Sequence, residues 1–328
     1  MKIKKYVNLL LTPFKIEIIC VAIKMEVFDI LKDYIPLKEI IKYLELDKKN
    51  TKIFLDSLVH LKLLKNKNNQ YKNSSLSNKY FVSSSDYYFG DMFLFKKEFF
   101  EENKKQILPL LKEGNKKQIL QTNQKQWAEI SKKYFFQEQK SILADFVVDL
   151  VKKINKNKHI KNILDLGCSS GVLSLEIVKQ NKNIQATLFD FKEVICETKK
   201  NIKNYNLTNR VNTLDGDILK DDIKGDYDLV LCSNILHLLP QKQKILKKIY
   251  NSLNKNGTLL IIQSYNIKES LKNKENYFYN MLPMMLGKEP LDTYEFSNMI
   301  LNSGFRSINN FINQNQYDAD IKVFIAKK

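Results

Sequence analysis

The stretch Asp165-Leu-Gly167-Cys168-Ser169-Ser-Gly171 has residue types and a spacing suited to ligand chemistry. It joins an apolar strand-like run, NILDLG (162–167), to a helical pattern over about 172–180. Glycines at such a turn let the backbone approach a ligand and take torsions that a side chain forbids. A dinucleotide fingerprint would read Gly-x-Gly-x-x-Gly, its second glycine giving room for a pyrophosphate. Position 169 is serine instead, and the acid Asp165 stands two residues before the first glycine. A carboxylate there repels pyrophosphate and suits a cationic ligand. Two more acids end later strand-like runs, Asp190 in IQATLFD (184–190) and Asp217 in VNTLDGD (211–217).

Carboxylates only accept hydrogen bonds, so Asp190 suits the paired hydroxyls of a ribose. Gly216-Asp217-Ile218 offers a carboxylate to an adenine amino group and an aliphatic face beside the ring. S-adenosylmethionine carries an ammonium and a sulfonium and no phosphate. Three acids at three successive strand ends therefore point to it as the cofactor. A fourth run, YDLVLCS (227–233), delivers Cys232-Ser233-Asn234-Ile-Leu-His237-Leu238 to the same edge. Histidine titrates near neutrality, which makes His237 the candidate general base for a hydroxyl acceptor.

These residues need a sheet that collects strand ends. Further strand candidates are GTLLIIQ (257–263) and the terminal DIKVFIAKK, with helical patterns at about 192–204, 240–253 and 292–303. Alternating strands and helices predict an α/β domain whose parallel sheet is wrapped on both faces, with ligands outside the carboxyl ends of the strands. Upstream, helical spacing over 14–31, a second pattern from Pro36, a third over 51–62 and an Asn-rich hairpin give the order of a winged helix. The third helix carries Ile53, Phe54, Leu55, Leu58, Val59 and Leu61, so it is expected to be buried on several sides as a packing or dimerisation element, not a DNA reader. Helical sequence continues over 83–155, and Lys-Asn repeats at 152–158 mark a boundary. The expected division is a winged-helix-like dimerisation domain over 1–100, a helical linker contributing to the substrate pocket over 101–155, and a cofactor-binding domain over 156–328.

Composition narrows the function classes. The net charge of +18 invites a polyanion partner, yet Arg210 and Arg306 are the only arginines and the lysines are spread along the chain without a stripe. A solvated lysine-rich surface is the better reading, and nucleic acid is not an expected partner. Four dispersed cysteines and three histidines show no metal-ligand spacing, so no metal is expected and reduced thiols suit a cytoplasmic protein. Lys2, Lys4 and Lys5 precede an apolar run, but Pro13, Lys15 and Glu17 interrupt it, which argues against a signal peptide or a membrane helix.

DLGCSSG, Asp190 and Gly216-Asp217 together resemble the class I methyltransferases over roughly residues 160–264. The segment FDFKEVICETKKNI is similar to the Phe-Asp-x-x-x-Val segment of the plant caffeic-acid and hydroxyindole O-methyltransferase family, and the winged half resembles that family's dimerisation domain. The resemblance implies a Rossmann-like seven-stranded sheet preceded by a mainly helical winged-helix domain, a homodimer, and S-adenosyl-L-homocysteine as product. It further implies a small-molecule acceptor, with an aromatic or polycyclic hydroxyl as the first expectation. Cofactor-binding residues would be Asp165, Gly167, Cys168, Ser169, Gly171, Asp190, Phe191, Gly216, Asp217, Ile218, Ser233 and Asn234.

Two departures stand out. Ser169 occupies a position where the family carries glycine, which is tolerable if its torsions are ordinary, and its hydroxyl is a possible donor to the cofactor. Leu238 follows His237 where the family has aspartate, leaving carbon, nitrogen and sulfur acceptors open. The family also orients its histidine with a downstream glutamate, for which Glu269, Glu275 and Glu289 are candidates. An apolar wall of Met281, Met284 and Met285, beside Tyr277 and Phe278, is expected to cover the methyl end, completed by Phe89, Met92 and Phe136. Nucleic-acid methyltransferases carry an Asn/Asp-Pro-Pro-aromatic tetrapeptide or a Pro-Cys nucleophile, and Cys232-Ser-Asn-Ile is neither. A regulator that keeps the fold for sensing remains an alternative on sequence alone.

Overall fold

Two sequence rhythms, helical in the first third and strand-helix alternation in the rest, become two units in the computed structural model, Met1–Glu101 and Glu102–Lys328. Residues 3–114, 124–156, 159–263, 267–313 and 320–328 are described.

In the first unit, Asp47 caps the helix Lys48–His60 by accepting the Asn50 amide at 2.8 Å. The hairpin follows as β2 (Leu64–Lys67) and β3 (Gln70–Asn73), joined by Asn68 and Asn69 with φ of 52° and 57°. Positive φ at both central positions is the two-residue turn whose twist suits a hairpin, and asparagine tolerates it. A short β1 (Ile35–Pro36) pairs with β3, giving the order β1-β3-β2. Phe28, Leu31, Ile40, Leu55, Leu58 and Tyr71 fill the core, and the Tyr71 hydroxyl donates to Asp56 at 2.7 Å, tying hairpin to helix. Here the structure corrects one expectation. Lys48–His60 buries Thr51, Leu55 and Leu58 along one stripe, while Ile53 is 59% exposed, so it is not buried on several sides.

Residues 3–24 form the helices Ile3–Leu9 and Thr12–Lys24, together long and apolar enough to cross a membrane by length and composition alone, despite Lys15 and Glu17. Ile3, Leu10 and Phe14 are among their exposed apolar side chains.

The second unit holds a seven-stranded sheet in the order β6-β5-β4-β7-β8-β10-β9. Its strands are β4 (Asn162–Leu166), β5 (Gln185–Asp190), β6 (Val211–Asp215), β7 (Tyr227–Ser233), β8 (Leu253–Gln263), β9 (Ser307–Asn313) and β10 (Ile321–Lys327). β4 to β8 pair in parallel, whereas β10 runs antiparallel to both β8 and β9. Successive side chains of a strand point to opposite faces. Accordingly Ile163, Leu229, Leu231, Leu260 and Ile262 join one core, and Leu164, Val230, Leu259 and Ile261 join the other. Helices Val172–Gln180 and Lys192–Asn204 pack on the first face, and Lys242–Ser252 and Thr293–Asn302 on the second. β9 had no counterpart among the strand-like runs of the sequence. A long helix over residues 124–154 precedes the sheet within this unit and contains two π-helical segments, Ser131–Phe135 and Gln139–Leu143.

Candidate active site

β4, β5 and β6 follow one another outward before the chain crosses back from β6 to β7 on the other side of β4, so three parallel strand ends lie side by side, and the turn 165–171 lies at their carboxyl edge. Asp165, 2% exposed, accepts from the Ser174 hydroxyl at 2.7 Å. Burial, aided by the nearby charge of Asp190, pushes its carboxyl up to about 7 against the pull of Ser174. Gly167 takes φ of 71°, and a Cβ there would lie 2.0 Å from Ile235 Cδ1, so packing and torsion both require glycine. Gly171 takes φ of 75°, heads the helix Val172–Gln180, and would press a Cβ against Leu188 and Thr198.

Ser169 also lies in the left-handed region, at φ 53°. The condition on which a serine was tolerable there, ordinary torsions, is therefore not met, and that conformation costs a residue with a Cβ about 1 kcal/mol or more. Its amide donates to Asp190 Oδ2 at 2.8 Å, and its hydroxyl lies 2.6 Å from Ser131 Oγ. The Phe191 amide donates to Asp190 Oδ1 at 2.8 Å. Two of the roughly four lone-pair sites of the carboxylate are thus used, leaving one on each oxygen for hydroxyl donors. Burial raises the Asp190 carboxyl while these two amides hold it down.

Gly216 donates its amide to the Asp190 carbonyl at 3.0 Å, which brings the third strand end against the second. Asp217 accepts from the Leu219 amide at 3.0 Å and pairs with Lys220 at 3.2 Å, so its carboxylate also braces its own turn. Ile218 is 5% exposed and packs in the core with Leu166, Phe189 and Ile223, not as an open aliphatic face. Cys168 and Cys232 are buried, with burial raising both thiols, so neither is poised as a nucleophile. At the end of β7, the buried Ser233 hydroxyl has no partner among the described residues, and Asn234 takes φ of 51° with its amide on the Ile262 carbonyl.

His237 follows in the same loop. Burial, with the positive charges of Lys288 and Lys242, pushes its imidazole down to about 4, and a hydrogen bond to Gln263 opposes them. Its Nδ1 is buried without a partner among the described residues. The orienting residue is therefore Gln263 at the end of β8, and none of the three glutamates expected for the task. Glu269 instead accepts from Thr293 N at 3.1 Å and Thr293 Oγ1 at 2.6 Å, Glu275 lies exposed 3.7 Å from Lys274, and Glu289 is exposed. Among the described residues the charged groups that act on His237 are both cations.

The residues of the expected acceptor wall differ in their exposure. On the helix Lys274–Met285, Asn276 and Asn280 form the buried positions, Met281, Met284 and Met285 are half-buried, and Tyr277 and Phe278 are 47% and 62% exposed. Phe136 is half-buried on the long helix 124–154. Phe89, half-buried, and Met92, buried, belong to the first unit. Beyond Gln263, sequence reasoning missed Ser174, Ser131 and Gln139, the last accepting from Ser170 Oγ at 2.9 Å. Among the described residues no group of three or more His, Cys, Asp or Glu side chains is placed to hold a metal ion.

A seven-stranded sheet in this order, with a glycine-bearing turn, the buried Asp165 and the half-buried Asp190 at its carboxyl edge, defines a Rossmann-like methyltransferase fold. The sequence matches an O-methyltransferase domain over residues 118–306 and an O-methyltransferase dimerisation domain over residues 7–83. An uncharacterised protein of Methanocaldococcus jannaschii is 29% identical over 274 residues, covering 79% of this chain and 69% of its own. Among solved structures, a putative O-methyltransferase of Nostoc punctiforme superposes with a TM-score of 0.79 at 18% identity, over 100% of this chain and 99% of its own. Human N-acetylserotonin methyltransferase in complex with S-adenosylmethionine superposes with a TM-score of 0.78 at 18% identity, over 100% and 98%. The chain belongs to the O-methyltransferase family and is an S-adenosylmethionine-dependent methyltransferase of small molecules. Its site residues fit that cofactor: the buried Asp165, open lone pairs on the half-buried Asp190 and the Ser233 hydroxyl, which no described residue partners, answer a ligand rich in donors and positive charge.

Proposed function

We propose that the chain methylates a hydroxyl of an aromatic or polycyclic small molecule, with His237 receiving the hydroxyl proton. The observation that carries this reading is the imidazole itself, neutral, fastened at one nitrogen by Gln263 and left with Nδ1 as a buried acceptor that no described residue partners. When bound, S-adenosylmethionine supplies a methyl group on a sulfonium leaving group. Asp165, the turn 167–171, Asp190 and Asp217 would hold it, and holding donor and acceptor in line supplies much of the rate.

An imidazole pushed down to about 4 is a weak base in the ground state. A hydroxyl proton becomes strongly acidic as its oxygen forms a third bond, to the incoming methyl carbon, and takes on positive charge, so a weak but well-placed base suffices late in the transfer. Leu238 and Gln263 supply no negative charge to raise that basicity, which favours acceptors whose O–H is already acidic, phenols above all. A relative from Streptomyces sahachiroi named as a 3-hydroxy-5-methyl-1-naphthoate 3-O-methyltransferase supports the same acceptor class. We further infer a homodimer through the first unit, supported by the dimerisation-domain match and by the exposed Ile3, Leu10 and Phe14.

The test is turnover with labelled cofactor against phenols, indoles, thiols and amines. His237→Ala should lower kcat about 100-fold or more on a hydroxyl acceptor while S-adenosylhomocysteine affinity stays within two-fold. An unchanged kcat removes His237 from proton transfer and points to a nitrogen, sulfur or carbon acceptor.

A further inference from the structure

Ser169 and Ser170 are both held from outside their own turn. The strained Ser169 donates its amide to Asp190 at 2.8 Å, accepts from Thr198 Oγ1 at its carbonyl at 2.8 Å, and meets Ser131 Oγ at 2.6 Å through its hydroxyl. Ser170 donates its hydroxyl to Gln139 at 2.9 Å and accepts from Asn201 Nδ2 at its carbonyl at 2.9 Å. Both side-chain bonds thus lead to the helix 124–154, where Ser131 is 2% exposed.

Helix geometry explains how one helix supplies both grips. At 3.6 residues per turn, positions eight apart are about 80° out of phase. Ser131–Phe135 is a π-helical turn, which inserts about one residue and brings Ser131 and Gln139 to within about 20° of one another. Without that insertion the two side chains would leave the helix in different directions. The buried ion pair of Lys140 with Glu176, also accepting from Tyr205, fastens the same helix to Val172–Gln180.

We propose that Ser131 and Gln139 are positioning residues that hold the turn 167–171 in its ligand-receiving shape, a task that exists because position 169 carries a side chain. A left-handed residue with a Cβ persists only when its surroundings enforce it. Removing the Ser131 hydroxyl would leave that of Ser169 short of its partner and free the turn to relax toward ordinary torsions. Glycine at 169 would take the same torsions without help. The proposal rests on the turn 167–171 being the cofactor's seat.

The experiment is a double-mutant cycle on S-adenosylhomocysteine affinity by titration calorimetry, with Ser131→Ala, Ser169→Gly and the pair. Ser131→Ala should weaken binding about five-fold, the change that one net hydrogen bond makes. In the Ser169→Gly background the same substitution should cost less than two-fold. Steady-state kinetics should show the loss in KM for S-adenosylmethionine with kcat nearly unchanged, a split that a general loss of folded protein would not produce. Gln139→Leu supplies a second measurement in the same direction, its effect vanishing in a Ser170→Ala background. Wild-type affinity in Ser131→Ala, or an equal loss in both backgrounds, overturns the positioning role. Asp190→Ala is the control for the seat: if it binds like the wild type, the seat and the positioning role both fall, whereas abolished binding isolates the result on Ser131.

Discussion

Asp165→Asn should make the protein more stable and a poorer binder of its cofactor. The carboxyl is buried and its folded-state value rises from 3.8 to about 7, because removal from water disfavours the charged form. Below pH 4 both folded and unfolded chains hold the proton, and the group costs nothing. As pH rises from 4 to 7 the unfolded chain ionises first, so stability is lost across that window and stays lost above it. A shift of about three units at 1.36 kcal/mol each gives an upper bound of about 4 kcal/mol at pH 8. Asparagine is isosteric and can still accept from Ser174, which keeps the 2.7 Å bond. For a unit of this size the gain corresponds to a rise in melting temperature of roughly 8–16 °C at pH 8, shrinking to nothing near pH 4. Binding moves the other way. A cationic ligand selects the ionised carboxyl, so wild-type affinity for S-adenosylmethionine should climb about ten-fold per pH unit below 7 and level off above it. Asp165→Asn should bind at least ten-fold more weakly at pH 8 with a flat profile. Thermal melts and calorimetry across pH 5–8 test both. A variant less stable than wild type at pH 8, or an unchanged affinity profile, refutes the reasoning.

The turnover profile should behave differently from the binding profile. With His237 held down to about 4, its neutral form dominates from pH 5 upward, so kcat at saturating cofactor should be flat from 5 to 8 and fall only as the imidazolium forms near 4. An acid limb centred near 6.5 would mean that burial does not govern this histidine. The buried pair of Lys140 and Glu176 should resist single changes. Lys140→Met strands the carboxylate and should cost about 3 kcal/mol in urea unfolding, reduced by the 2.7 Å bond from Tyr205, while Lys140→Met with Glu176→Leu should recover most of it.

The parts of the fold that sequence revealed are those where burial on two faces forces a pattern. NILDLG and YDLVLCS read as strands because a central parallel strand has no solvent face to fill with polar residues. SINNFIN did not, since β9 is an edge strand with Ser307, Asn309 and Phe311 exposed. The acids at strand ends were equally legible, because their position follows from strand length. Gln263 was not. The family resemblance pointed to a downstream carboxylate, whereas the pairing of Ser233 with Ile262 sets the end of β8 beside the loop that carries His237, and an amide there serves. Ser131 and Gln139 were hidden by the π turn, which breaks the 3.6-residue count on which helical patterns are read. On the helix Lys274–Met285 the apolar side chains suggested a wall, whereas the structure buries Asn276 and Asn280 and leaves Phe278 exposed.

Burial acts on the acids and on the histidine in opposite chemical directions, and this separates cofactor capture from methyl transfer. Asp165 and Asp190 are drawn toward their neutral acids, so arrival of a positive ligand must expel a proton, at least in part from Asp165 near neutral pH. His237 is drawn toward its neutral base, and Lys288 and Lys242 reinforce that state, so it is ready for a proton before any ligand arrives. Cofactor affinity therefore carries the pH dependence near 7, and the transfer step carries one near 4. An acidic partner in place of Gln263 would merge the two by raising the imidazole into the range where Asp165 titrates. The amide keeps the base uncharged throughout the range in which the cofactor binds, at the cost of basicity that only an acidic hydroxyl acceptor can spare.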